Sequence, residues 1–162
     1  MSRLRSTFLA LFLALGPIAG LVALAPAPAH AEGGTRAADG KVELKLKVVY
    51  ATTDHERVDT GLERLKSRMG HFKYTGFEML DTRTVQVTSK GKESFGIVGG
   101  RKVEVELLSK TDEKARMRLR VLGKNDSTIV DITFSVRRNG EYIVAGPRYK
   151  NGVLVLPVKA SY

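Results

Sequence analysis

The run Ser127-Thr-Ile-Val-Asp-Ile-Thr-Phe-Ser-Val-Arg-Arg-Asn-Gly-Glu-Tyr-Ile-Val-Ala-Gly-Pro-Arg-Tyr-Lys-Asn-Gly-Val-Leu-Val-Leu-Pro-Val-Lys-Ala160 reads as three consecutive strands joined at Asn139-Gly140 and Asn151-Gly152. Asn-Gly suits a two-residue type I′ hairpin, because both central residues then need positive φ. With Asn139 and Gly140 as the loop, Arg138 faces Glu141, Val136 faces Ile143 and Phe134 faces Ala145. Alternation then puts Val130, Ile132, Phe134, Val136, Ile143 and Ala145 on one face, the expected core side. A slip of one residue would expose that set, losing roughly 1.5 to 3 kcal/mol for each large side chain.

Upstream, Val103, Val105 and Leu107 alternate with Lys102, Glu104 and Glu106, and Met117, Leu119 and Val121 alternate with Arg116, Arg118 and Arg120. Pairing Leu107 with Met117, Val105 with Leu119 and Val103 with Val121 gathers the apolar side chains on one face. The same register sets Glu106 against Arg118 and Glu104 against Arg120, so both faces agree. Val42, Leu44, Leu46, Val48 and Tyr50 form a further alternating strand. Phe72–Leu80, with Gly76 as a bend, and Thr84–Thr88 read as two more strands, and Phe95–Val98 as a short one before Gly99-Gly100.

One helix interrupts the β pattern. Thr60 followed three residues later by Glu63 has the spacing of a capping box, with Asp59 beside it. Leu62, Leu65, Met69 and Phe72 then form an apolar stripe, and Gly70 marks the end. The expected fold is α+β: about eight strands in a mainly antiparallel sheet or two-layer sandwich, with one helix inserted after the first strand.

The chain opens with Arg3 and Arg5, an apolar run broken at Gly16-Pro17, and Ala29-His30-Ala31. That is the grammar of a secretory signal peptide over 1–31, cleaved before Glu32. The expected organisation is a signal peptide (1–31), a Gly-rich tether (32–40) and a single β-rich domain (41–162), exported through the Sec route and periplasmic or secreted, with no transmembrane segment after cleavage. The chain has no cysteine, so the exported domain must be held by its core. The formal net charge is +10, and falls to +8 once Arg3 and Arg5 are removed. In an envelope, such charge points to lipid headgroups or anionic polysaccharide as partners.

Motifs of catalysis are absent from the sequence. There is no Gly-x-Ser-x-Gly elbow and no cysteine nucleophile, and Asp54, His55 and Glu56 are adjacent residues that cannot normally converge on one metal ion. No catalytic residue, metal site or cofactor is therefore assigned. The candidate anion-binding residues are Arg101, Lys102, Arg116, Arg118, Arg120, Arg148 and Lys150, which lie in the arginine row or beside glycine-rich turns. Against the row stands its own register, in which Glu104 and Glu106 neutralise part of it.

Ala145-Gly-Pro-Arg148, Asn151-Gly-Val-Leu-Val-Leu-Pro157, Phe72-Lys-Tyr74 and Phe77-Glu-Met-Leu80 together resemble a pattern in uncharacterised exported β-rich proteins of gliding bacteria. The resemblance implies an envelope-located β-rich domain, an accessory part of a surface or motility machine, and transfers no functional residue. The leading expectation is a non-enzymatic envelope domain that binds a protein partner or assembly. Binding of an anionic envelope polymer or lipid headgroup is the alternative, and hydrolysis of envelope polysaccharide or peptide a further one. Nucleic acid is not expected, because the basic residues are not interleaved with stacking aromatics.

Overall fold

The computed structural model describes residues 40–162, so the expected signal peptide and all of the tether but Gly40 lie outside the described residues. Eight strands and one short helix follow in the order β1 (Val42–Thr52), α1 (Glu63–Arg68), β2 (Gly76–Val87), β3 (Lys92–Ile97), β4 (Arg101–Lys110), β5 (Lys114–Leu122), β6 (Thr128–Arg137), β7 (Glu141–Tyr149) and β8 (Gly152–Ser161). They form two four-stranded antiparallel sheets, ordered β2-β1-β8-β7 and β3-β4-β5-β6. Within the sheets every ladder but one joins strands consecutive in sequence, and β8 returns to β1. The path is an eight-stranded meander closed on itself and interrupted at two seams, β2/β3 and β6/β7.

The β4–β5 register is the one that the alternating apolar and charged residues dictate, with Val103↔Val121, Glu104↔Arg120, Val105↔Leu119, Glu106↔Arg118 and Leu107↔Met117. The inward members of these pairs are fully buried. They meet Val42, Leu44, Leu46 and Val48 of β1 and Leu154, Leu156 and Val158 of β8 across the sandwich. Central β8 is covered on both sides, which explains its nearly unbroken apolar run.

The expected Asn139-Gly140 hairpin is not one. β6 pairs with β5 in one sheet while β7 pairs with β8 in the other, so the turn is a corner between sheets. Only Asn139 has positive φ (56°), not both residues as a type I′ turn needs, and Gly140 N–H donates to the Arg137 carbonyl. The corner also reverses the expected parity of β7. Val144 faces the main core, Ile143 packs on the helix side and Ala145 is exposed. Val130, Ile132, Phe134 and Val136 of β6 do point inward as expected, and Phe134 stacks on Tyr142 across the seam with centroids 4.4 Å apart.

The second turn is a true hairpin shifted by one residue. Tyr149 pairs with Gly152, so the loop is Lys150-Asn151, with Lys150 at φ 49°. Gly152 is instead needed for close approach, since an added Cβ would run into the Ala51 carbonyl of β1.

The two strands expected over 72–88 are one. β2 pairs with β1 from Gly76 to Val87, and a bulge leaves Leu80 unpaired between Val48↔Asp81 and Val49↔Met79. That extra residue sends Leu80 to the main core and turns Met79 and Phe77 toward the helix.

Helix α1 is shorter than its apolar stripe suggests. The expected capping box does not form: Asp59 accepts from Met79 N–H at 2.8 Å, and Glu63 accepts from Gly61 N–H at 3.2 Å. Met69, not Gly70, is the C-cap. Leu62, Leu65 and Met69 pack with Val49, Ala51, Phe77 and Val155 in a second, smaller core on the outer side of the β1/β8 sheet. Phe72, the last member of the stripe, is 58 % exposed.

Candidate functional site

The arginine row lies on the outer face of the β3–β6 sheet and is largely engaged. Arg120 reaches Glu104 at 2.9 Å, and Glu104 also takes Lys92 at 2.8 Å. Arg118 meets Asp131 through Nε at 2.8 Å and Nη2 at 2.6 Å, a bidentate pair. These hydrogen bonds, then the opposite charge, hold the Asp131 carboxyl below its ordinary value and raise the Arg118 guanidinium above its own. Lys102 reaches Asp126 at 3.0 Å. Arg116, exposed and opposite Ser135, is the one candidate of this face outside the ion pairs of the described residues. The face is a lattice of opposite charges more than an anion-binding stripe.

Arg101 has a structural position. Its Nη2 donates to the Arg148 carbonyl at 2.9 Å, tying β4 to β7 across the gap between sheets. Nη1 is buried without a partner, in space left free by Gly99, where a Cβ would stand 2.6 Å away. Gly99 also has φ +77°, so a side chain there is opposed both by backbone and by the guanidinium.

Arg148 and Lys150 belong to a different place, the tip of the β7–β8 hairpin. A cleft of about 370 Å³ opens there between the hairpin and the segment after α1, lined by Lys73, Tyr74, Arg148, Lys150 and Asn151. The hairpin brings two cations, and the segment Gly70–Thr75 brings the third. That segment is anchored at both ends, by Phe72 N–H to the Met69 carbonyl (2.9 Å) and Thr75 N–H to the Thr52 carbonyl (3.0 Å). Lys150 Nζ sits 5.8 Å over the Tyr50 ring and 5.5 Å over the Tyr149 ring, and the two rings pack edge to face at 5.6 Å. Asn151 is oriented by its amide, which donates to Asp54 at 3.3 Å. Lys73, Arg148 and Lys150 enter no ion pair among the described residues. Three unneutralised cations therefore share one opening.

Lys73 and Tyr74 were not among the candidate residues read from the sequence. Seventy-odd positions separate them from Arg148, and only the packing of the post-helix segment on β8 joins them. The only signal in the sequence is Phe72-Lys-Tyr74 itself, an aromatic-basic-aromatic triplet that reads there as the start of a strand, whereas in the structure it precedes β2, which begins at Gly76.

Other clusters serve the scaffold. His55 Nε2 and Arg57 Nη2 both reach Glu78 Oε1, at 2.8 and 2.6 Å, pinning the β1–α1 connection along β2. Among the described residues no group of three or more His, Asp or Glu is arranged to hold a metal ion. A groove of about 710 Å³ between α1 and the outer face of β1 and β8 contains Glu63 and Glu141 with Lys47, Arg64, Arg68 and Lys159. Glu141 is paired there with Arg68 at 2.7 Å, an arrangement that fastens β7 to the helix. No helix of the described residues is long and apolar enough to cross a membrane. No protein family, curated protein or solved structure matches the chain.

Proposed function

We propose that this protein is an exported, non-enzymatic binding module for an anionic envelope component, held at the tip of the β7–β8 hairpin by Lys73, Arg148 and Lys150. The observation that carries the reading is the contrast between two basic regions. The arginine row faces carboxylates of its own sheet, whereas the three cations at the hairpin tip face an open cleft. Cations around a concavity attract phosphate or carboxylate more strongly than the same charges spread over a plane. The resemblance to envelope proteins of gliding bacteria and the secretory leader read from residues 1–31 support the compartment in which such anions occur.

A protein partner docking on a broad apolar face is less well supported. Among the described residues only Phe72 and Ile129 are large exposed apolar side chains.

Binding of the full chain to long-chain polyphosphate, measured at low and moderate salt, tests the reading. The Arg148→Glu/Lys150→Glu variant should bind about tenfold or more weakly, with the salt slope reduced by about one for each lost contact. Arg116→Glu/Arg137→Glu on the opposite sheet, where both side chains are exposed and outside the ion pairs of the described residues, should change affinity by no more than about twofold. Equal loss in both variants would mean that overall charge binds the polymer, and the assignment to the hairpin tip would fall.

A further inference from the structure

Beside the basic cleft lies an apolar one. About 320 Å³ opens between the end of α1 and the β7–β8 surface, floored by Ile143 and Val153, with fully buried Val155 behind them, and walled by Met69, Phe72 and Tyr74. Tyr74 and Val153 border both clefts. On one side of this shared wall the lining is aliphatic and aromatic apart from Arg68, which is paired with Glu141, and on the other it is cationic. Phe72 stands at the lip of the apolar side, 58 % exposed, where a stripe residue of a longer helix would have been covered.

We infer that the two clefts together form one site for an anionic amphiphile, in which a single alkyl chain lies on Ile143 and Val153 and its phosphate or carboxylate head meets Lys73, Arg148 and Lys150. This rests on the anion-binding reading above and adds a substrate class to it. Three observations fix the class. The apolar volume is at the lower end of ligand pockets, room for part of one chain and not for two. The polar end holds Lys73, Arg148 and Lys150, and the Asp54 carboxylate beside it is engaged by the Asn151 amide at 3.3 Å, so the head that suits it is negative. The opening lies at the edge of the sheet, where β7 is irregular between Ala145 and Arg148, so a chain can enter from the side. The source is a membrane-derived single-chain lipid bound as a monomer, with docking of the whole protein on a bilayer as the rival outcome.

Calorimetric titration of the full chain with alkyl phosphates of four to twelve carbons, each below its micelle concentration, tests this. Affinity should rise by up to about fourfold for each methylene buried, then level off when the cleft is full. Inorganic phosphate should bind much more weakly, and octyl glucoside, with a chain but no charge, should not compete. Phe72→Ser alters an exposed position, so folding is retained, and it should flatten the chain-length dependence while leaving inorganic phosphate binding unchanged. Arg148→Glu/Lys150→Glu should weaken every alkyl phosphate by about tenfold or more.

If alkyl phosphates bind no more tightly than inorganic phosphate while polyphosphate binding persists, the amphiphile site is wrong and the anion-binding reading stands. If neither phosphate nor polyphosphate responds to the Arg148→Glu/Lys150→Glu change, both fall. Binding to phosphatidylglycerol vesicles without binding of monomeric dodecyl phosphate would overturn the site in favour of surface docking.

Discussion

At Gly152 a side chain is excluded by a neighbour and not by the backbone angle. An added Cβ would meet the Ala51 carbonyl and, at 2.9 Å, the Tyr50 ring. Gly61 is the opposite case, with φ +82° and nothing within 4 Å of an added Cβ. The two glycines are the same letter with different physics. Gly152→Ala must push β1 away from β8 where Ala51 pairs with Val153, and should cost about 2 to 3 kcal/mol. Gly61→Ala only places a methyl-bearing residue in left-handed backbone, for about 1 to 2 kcal/mol. Urea unfolding of the two variants distinguishes them. A Gly61→Ala loss equal to or larger than that of Gly152→Ala would contradict the steric account of the β1–β8 contact.

Between elements, β6 is the edge strand of its sheet, and its bidentate Asp131–Arg118 pair is a cross-strand tie to β5. The hydrogen bonds from Arg118 hold the Asp131 carboxyl below its ordinary value of 3.8 in the folded chain. The unfolded chain therefore takes up this proton first as pH falls. Stability from the pair is complete above the ordinary carboxylate range and is lost as pH falls through the depressed folded value. Asp131→Asn should lower the urea midpoint at neutral pH, and the gap from the unaltered chain should close at strongly acid pH. A gap that persisted in acid would assign the loss to the asparagine's own fit.

The neighbouring β4–β5 register was readable from residue identities alone, because apolar alternation and charge complementarity are independent constraints that agree on one alignment. The Asn139-Gly140 corner was not readable, since a dipeptide that allows a tight turn says nothing about whether the next strand joins the same sheet. The difference rests on Val144 and Tyr142 packing toward the main core, a long-range fact. The same holds for the candidate site. Arg148 and Lys150 stood out beside a turn, but Lys73 joins them only through tertiary packing, and the neutralisation of the arginine row by Asp131 needed the β5–β6 alignment as well as the β4–β5 one.

At the scale of the whole molecule, the meander closes because the last strand lies against the first, with Glu43 opposite Ser161 and Leu44 opposite Ala160. Every other ladder joins strands adjacent in sequence, so the β1–β8 pair is the one contact that spans the entire domain. Forming it requires closing the longest loop before burial of Leu44, Leu46, Leu154 and Leu156 rewards the closure. The seams are the complementary weak places. No ladder crosses β6/β7, and the corner is held by few backbone bonds, among them Ala160 N–H to the Gly140 carbonyl at 3.1 Å. A circular permutant that joins Tyr162 to Lys41 through a short glycine linker and opens between Asn139 and Gly140 would convert the longest-range pair into a local hairpin. It should keep a single cooperative urea transition, lose only about 1 to 2 kcal/mol for the severed corner bonds, and refold faster than the parent domain. Stopped-flow refolding of the two chains measures this. Refolding at an unchanged rate would show that β1–β8 pairing follows the rate-limiting step, and loss of the cooperative transition would show that the corner, and not the closing pair, holds the sandwich together.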